Sequence, residues 1–312
     1  KAVANGSVTF TSKEGCYNWK RRLEHITHVA TFLRSPRSHV LSQFYFCSEG
    51  AFHGFTQVHH FRPWMQEWSK HQERGDIVGD FGSRSHNDKQ LHFQKYVTAS
   101  FLPFHCYNPS NLMVQHFTCR GHPFNYTKIP ETELAIKNMQ ETFFVGITEA
   151  YKESLCLLHV KVHDILPEWC HCENRTMWHS WNVSKKTYTP RRYHKNVSMM
   201  QPDTLEMVDN LTSQDYMLYR AGLERFAKEM RGIEERFHTR VICRKLEFFD
   251  RRLTEVFELH YGPNVDIAGA AASPDSEADE EEEPADEGSP GSPADPIVLG
   301  AKTNLNAVVD GA

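Results

Sequence analysis

The sequence has no run of 18 apolar residues, which excludes a membrane-spanning helix within it. It has no internal repeat, so solenoids and propellers are excluded. It has no nucleic-acid-binding motif, and its basic excess is too small to argue for nucleic acid as a partner. It does not begin with Met and shows no charged-then-apolar leader, so it reads as a fragment or a processed product, with any signal or anchor helix expected upstream. What it does have is enough apolar and aromatic content, 39% and 12%, for a sizeable core in 312 residues.

Charge is unevenly distributed. Residues 263–312 hold 12 Asp and Glu against one Lys. This stretch, containing "SPDSEADEEEEPADEGSPGSPADP", lacks aromatics and is expected to be a disordered acidic tail. Residues 1–262 hold 34 Lys and Arg against 28 Asp and Glu, together with all 19 His, and are expected to form the folded domain. A mildly basic domain suits an anionic ligand, and equally an ordinary solvated surface.

Eight cysteines permit complete pairing without revealing which pairs form. Asn-X-Ser/Thr sequons stand at Asn5, Asn125, Asn174, Asn182, Asn196 and Asn210. Six of 14 asparagines in acceptor context exceeds the roughly two expected by chance. Glycosylation and stable disulfides both require the secretory lumen, and both signals point there. The alternative is a cytosolic protein with free, partly buried Cys.

Hydrophobic patterning alternates short apolar runs with helical stretches. Val29 to Leu33 reads as a buried strand, with Ser35 and Pro36 as N-cap and first residue of a helix to about Cys47. "FRPWMQEWSKHQ" reads as a helix with Phe61, Trp64, Met65 and Trp68 on one face, and residues 72–90 as loop. "NPSNLMVQHFTC" starts as a turn and continues as helix. Thr132 to Met139 is helical, Phe143 to Thr148 a strand, and Glu149 to Val162 helical again. Residues 163–200 read as irregular, and Ser213 to about His260 as helical with a break near Gly232. The alternation predicts an α/β domain with a parallel sheet flanked by helices.

Ligands of open α/β sheets sit at the carboxyl ends of strands, against the following helix N-termini. In "HVATFLRSPRSHVLSQFYFC", Arg34 falls at that point, and Ser38 and Ser42 share one helix face beyond it. A guanidinium, two hydroxyls and free helix amides make a clamp for phosphate or sulfate. An N-cap serine with surface arginines is the other reading.

These residues resemble a known family. "TFLRSPRSHVLSQFYFC" is similar to the 3′-phosphate-binding element of sulfotransferases that use 3′-phosphoadenosine 5′-phosphosulfate (PAPS), in which an Arg and a Ser two helical turns on hold the 3′-phosphate. The matching positions are Arg34 and Ser42. "FFVGITEAYKESLCLL" and "NLTSQDYMLYRAGLERFAKE" resemble blocks of the Golgi carbohydrate branch, and "HCYNPSN", "LPEWCHC" and "HKNVS" resemble algal and protist versions. The resemblance spans roughly residues 8–260. It implies a P-loop-kinase-like sulfotransferase fold, PAPS as co-substrate without a metal, and a carbohydrate acceptor. It also implies residence in the Golgi lumen, with a membrane anchor upstream of this sequence.

The family's Lys-Thr/Ser-rich loop, which cradles the 5′-phosphosulfate, has no counterpart before residue 28. "GAKT" near the end is taken as coincidence, and the N-terminal strand-loop-helix is expected to be missing. Glu14, after a strand-like run, is the first candidate for the general base that takes the acceptor proton, with His25 and His28 behind it. A surface Glu is the alternative. In "TPRRYHKNVSMM", Arg191, Arg192 and Lys195 offer contacts to the cofactor or an anionic glycan, or form a solvated basic loop. For metal, His159-X3-His163 has half of a zinc pattern, but Cys170-X-Cys172 is too tight, and disulfides explain the cysteines better. A non-catalytic secretory-pathway protein that binds an anion or glycan on the same fold remains the competing function.

Overall fold

Two four-residue strands lie parallel: β1 (Ala30–Leu33) and β2 (Phe144–Ile147), with Ala30 opposite Phe144 and Leu33 opposite Ile147. The computed structural model describes residues 28–49, 60–74, 109–118, 131–180, 197 and 200–266. Nine helices accompany the strands among the described residues. They are α1 (Pro36–Glu49), α2 (Phe61–Arg74), α3 (Leu112–Thr118), α4 (Thr132–Gln140) and α5 (Tyr151–His163), then α6 (Arg175–Ser180), α7 (Pro202–Leu211), α8 (Ser213–Phe237) and α9 (Arg251–His260). The described part is therefore α/β, mostly helical, with a small parallel sheet.

β2 is buried along its whole length, as a parallel strand covered on both faces should be. β1 departs from the expected buried strand. Leu33 is buried, but Ala30 and Phe32 are exposed, because Phe32 lies on the outer side with Phe144 and Tyr151. Gly146, opposite Phe32, makes room for that ring: a Cβ there would fall 2.5 Å from it. On the inner side α8 presses against the sheet at Gly222, where a Cβ would collide with Leu33 Cδ1.

α8 is the central helix. Leu218, Tyr219, Leu223, Phe226, Ala227, Met230 and Ile233 form its buried stripe at helical spacing. The expected break near Gly232 does not occur. Gly232 lies within α8 with open space where a side chain would be, and costs only helix propensity there. The helix ends at His238, whose left-handed backbone (φ 53°) turns the chain. Irregular residues with bends follow until Asp250, whose carboxylate accepts the Arg252 amide and starts α9.

α3 and α8 cap each other. The Asp215 carboxylate accepts the amides of Met113 (3.2 Å) and Val114 (2.8 Å), while Asn111 Oδ1 accepts those of Gln214 (2.9 Å) and Asp215 (3.2 Å). Burial pushes the Asp215 carboxyl up to about 7, although the amides it accepts pull the other way.

A second apolar cluster joins α1, α2 and α7. Trp64, Met65, Val40, Phe44, Val208 and Leu211 are buried there, with Phe61 and Trp68 packed alongside, as the periodicity of α2 predicts. The region expected to be irregular contains a short 3-10 turn at Glu168–Cys170 and α6.

Two disulfides, Cys156–Cys170 and Cys172–Cys243, lie in the main core. They point to an oxidising, secretory-type environment. No helix among the described residues is long and apolar enough to cross a membrane.

Candidate functional site

The carboxyl ends of β1 and β2 are neighbours, and each runs directly into a helical turn. After Leu33 come Arg34, the N-cap Ser35 and Pro36, while after Ile147 come Thr148 and Glu149 in a 3-10 turn. The two ends are tied together. Thr148 Oγ1 donates to the Leu33 carbonyl (2.9 Å), and the Ser35 amide donates to Glu149 Oε1 (2.9 Å). The other carboxylate oxygen, Oε2, accepts the Tyr219 hydroxyl from α8 (2.9 Å). Burial and the adjacent Glu149 charge hold the Tyr219 phenol well above its ordinary range, so it stays a proton donor. Glu149 thus joins the first turn of α1, the end of β2 and α8.

Arg34 stands beside this junction. Its side chain is half-buried, and burial lowers its pKa while the Glu149 charge works against that. Among the described residues, no hydrogen bond or ion pair engages its guanidinium. A half-buried guanidinium with unused donors is a receptor for a planar or tetrahedral oxyanion.

Ser38 and Ser42 lie four residues apart on α1, Ser38 buried and Ser42 half-buried. The Ser35 hydroxyl donates to Ser38 Oγ (2.9 Å), which leaves the Ser38 proton available to an acceptor. His39 is the next residue round the helix. An edge of it reaches solvent, but protein surrounds its ring. Burial, helped by Arg34 and His116, brings its pKa down to about 4. His116 is lowered by burial as well. Gln43 Nε2 approaches His39 Nε2 at 3.4 Å, and the buried Gln43 Oε1 has no partner among the described residues. Arg34, His39 and His116 therefore lie near enough to influence one another, and burial biases both imidazoles towards the neutral form.

The His39 shift sets a pH dependence. A base whose folded pKa is depressed contributes stability above its unfolded pKa of about 6.5 and loses it as pH falls through about 4. The drop is on the order of 3 kcal/mol at most, reduced by the exposed edge. Urea midpoints at pH 7 and pH 4 should show this loss, and His39→Gln should remove most of it. An unchanged acid slope in His39→Gln would assign the loss to other groups.

The other anticipated site residues divide as follows. Glu14, Arg191, Arg192 and Lys195, together with His25, lie outside the described residues. So do Asn5, Asn125, Asn182 and Asn196. His28 is described, and stacks edge-on against Phe143 at 4.3 Å, a packing role at the start of β1. Asn174 precedes α6 and accepts the Met177 amide (3.2 Å), and Asn210 is exposed near the end of α7. The His159 and His163 rings lie tilted against each other with centroids 4.6 Å apart, and Cys170 and Cys172 are both consumed by disulfides. Among the described residues, no three His, Cys, Asp or Glu are placed to hold a metal.

Glu149 and Tyr219 were not singled out as site residues. Their signal lay in the quoted blocks: Glu149 closes "FFVGITE" and Tyr219 closes "LTSQDYMLY". The structure brings both of them to the turn after "TFLRS". No protein-family model matches the chain, and no curated protein and no solved structure matches it either.

Proposed function

We propose that this chain carries the 3′-phosphate-binding part of a PAPS-dependent carbohydrate sulfotransferase on the corresponding P-loop-kinase-like fold. The observation that carries the reading is the half-buried Arg34 guanidinium, unpartnered among the described residues where β1 hands over to α1. Convergence of the three sequence blocks on Glu149 supports it, and the disulfides agree with a lumenal enzyme.

In this reading the Arg34 fork and the Ser38 and Ser42 hydroxyls hold the ribose 3′-phosphate. The amino end of the 14-residue α1 adds favourable potential. Glu149 is a positioning residue. Both of its oxygens are engaged, so it fixes the turn that presents Arg34. Sulfuryl transfer to a sugar hydroxyl proceeds by in-line displacement, and catalysis rests on alignment and charge rather than on covalent chemistry. Glu14 is proposed to take the hydroxyl proton, with Arg191 and Lys195 near the donor or an anionic acceptor. The protein would act in the Golgi lumen, anchored through sequence upstream.

The test is calorimetric titration with adenosine 3′,5′-bisphosphate beside adenosine 5′-monophosphate. One charge-assisted phosphate contact is worth about tenfold or more in affinity, so the bisphosphate should bind at least that much more tightly. Equal affinities would overturn the assignment. Binding without transfer of labelled sulfate to any glycan would favour the non-catalytic anion- or glycan-binding protein.

A further inference from the structure

Beside α1 lies a cavity of about 230 Å³ whose wall begins at Ser35 and Pro36, at the start of that helix. Arg37, which lines it, is turned roughly 100° from Ser38 around the helix axis. Asp209, Asn210, Tyr216, Asp250 and Arg252 complete the chemically distinctive part of the wall.

The wall is densely hydrogen-bonded. Arg37 grips Asp209 with both ends of its fork, Nε to Oδ1 at 2.8 Å and Nη2 to Oδ2 at 2.7 Å, and its Nη1 donates to the Phe249 carbonyl. Arg252 donates to Asp209 (3.0 Å) and Asp250 (2.7 Å) and lies 4.6 Å over the Tyr216 ring. Two guanidinium groups face two carboxylates, so the formal charges cancel. A free anion would meet Asp209 and Asp250, and a free cation would meet Arg37 and Arg252.

A neutral ligand with many hydroxyls suits such a wall, because each hydroxyl both donates and accepts. Planar fork-shaped side chains beside an aromatic ring are the chemistry that recognises a sugar. At roughly 30 Å³ per water, the space equals about eight waters, room for one sugar ring but not a chain.

Asn210 supplies the tether. It is exposed, lines this cavity, and heads the sequon Asn210-Leu211-Thr212. The disulfides indicate that the chain passes through a compartment where such sequons are modified. We propose that Asn210 carries an N-linked glycan whose first sugar seats in this cavity. In that modification Asn210 Nδ2 bonds to the anomeric carbon of a lipid-linked sugar diphosphate and gives up one proton. The bond from that carbon to the diphosphate breaks, and the lipid diphosphate leaves with the electron pair.

Seating distinguishes Asn210 from a sugar that merely hangs in solvent. The experiment uses the full chain secreted from a eukaryotic cell. Mass spectrometry of its peptides reads occupancy at Asn210, and timed digestion with a glycan-releasing amidase reads access to the first sugar. The expected result is a glycan on Asn210, released at least about tenfold more slowly from the native protein than from the urea-unfolded one, because the sugar must first leave its seat. An unmodified Asn210, or equal release from both forms, would overturn the proposal. Neither readout depends on nucleotide binding, so this inference and the proposed function fail separately.

Discussion

Replacing Arg34 with alanine is expected to lower affinity for adenosine 3′,5′-bisphosphate by at least about a hundredfold, without loss of fold. Two charge-assisted hydrogen bonds to one phosphate are together worth about 3 kcal/mol or more, which sets that factor. The fold should survive because no hydrogen bond or ion pair engages Arg34 among the described residues, and what is lost is its longer-range attraction to Glu149. Removing it even relieves the cost of a half-buried cation, so the melting temperature should hold or rise slightly. Glu149 keeps its bonds to the Ser35 amide and the Tyr219 hydroxyl, so the turn stays in place. Arg34→Lys should recover only part of the affinity, since an ammonium lacks the planar fork. Calorimetry on the three proteins decides this, and wild-type affinity in Arg34→Ala would remove the donor site from this turn.

The largest stability loss is expected from Arg244→Ala. Glu153 has a side chain with no exposure at all, and its charged partner is Arg244 (Nε to Oε1, 3.1 Å). Burial raises the Glu153 carboxyl, and the Arg244 charge and hydrogen bond oppose that. Removing one member of such a pair strands the other, at about 3–5 kcal/mol. The Arg244 side chain is 42% exposed, which lets water relieve part of the cost, so the lower end is expected.

The sign of the pH effect follows. Without Arg244 the Glu153 pKa rises further above its unfolded value, so the stability deficit grows as pH rises from about 4 towards neutrality. Urea midpoints at pH 4.5 and pH 7.5 should show the smaller deficit in acid. The double change Glu153→Gln with Arg244→Met should restore most of the loss, and a deficit persisting there would point to packing rather than charge. Arg244 Nη2 also donates to the Glu149 carbonyl (2.9 Å), so the single variant should loosen the turn at the end of β2 as well.

What was legible in the sequence was local. Ser35 followed by Pro36 marks where α1 begins, and the spacing of Phe61, Trp64, Met65 and Trp68 marks the face of α2 that packs. Both strands were visible as short apolar runs with helices behind them. What was not legible depends on chain that is distant in sequence. Glu149 finds Ser35 across 114 residues and Tyr219 across 70, and no periodicity encodes either meeting. Gly232 read as a break because glycine lowers helix propensity, but neighbours fixed on the core hold α8 through it. β1 read as buried because most of its residues are apolar, and composition does not say which side a neighbour covers. The cysteine partners required the fold itself.

The exchange between Asn111 and Asp215 has a consequence for how the chain assembles. Seven-residue α3 is too short to persist alone, and the donors at its start are answered only once α8 is present. The start of α8 in turn leans on Asn111, held at a left-handed φ of 49° by the same contact. Neither end is complete first. The two segments, about a hundred residues apart, therefore form and melt as one cooperative unit, and the helix carrying Tyr219 inherits its anchorage from a fragment two turns long.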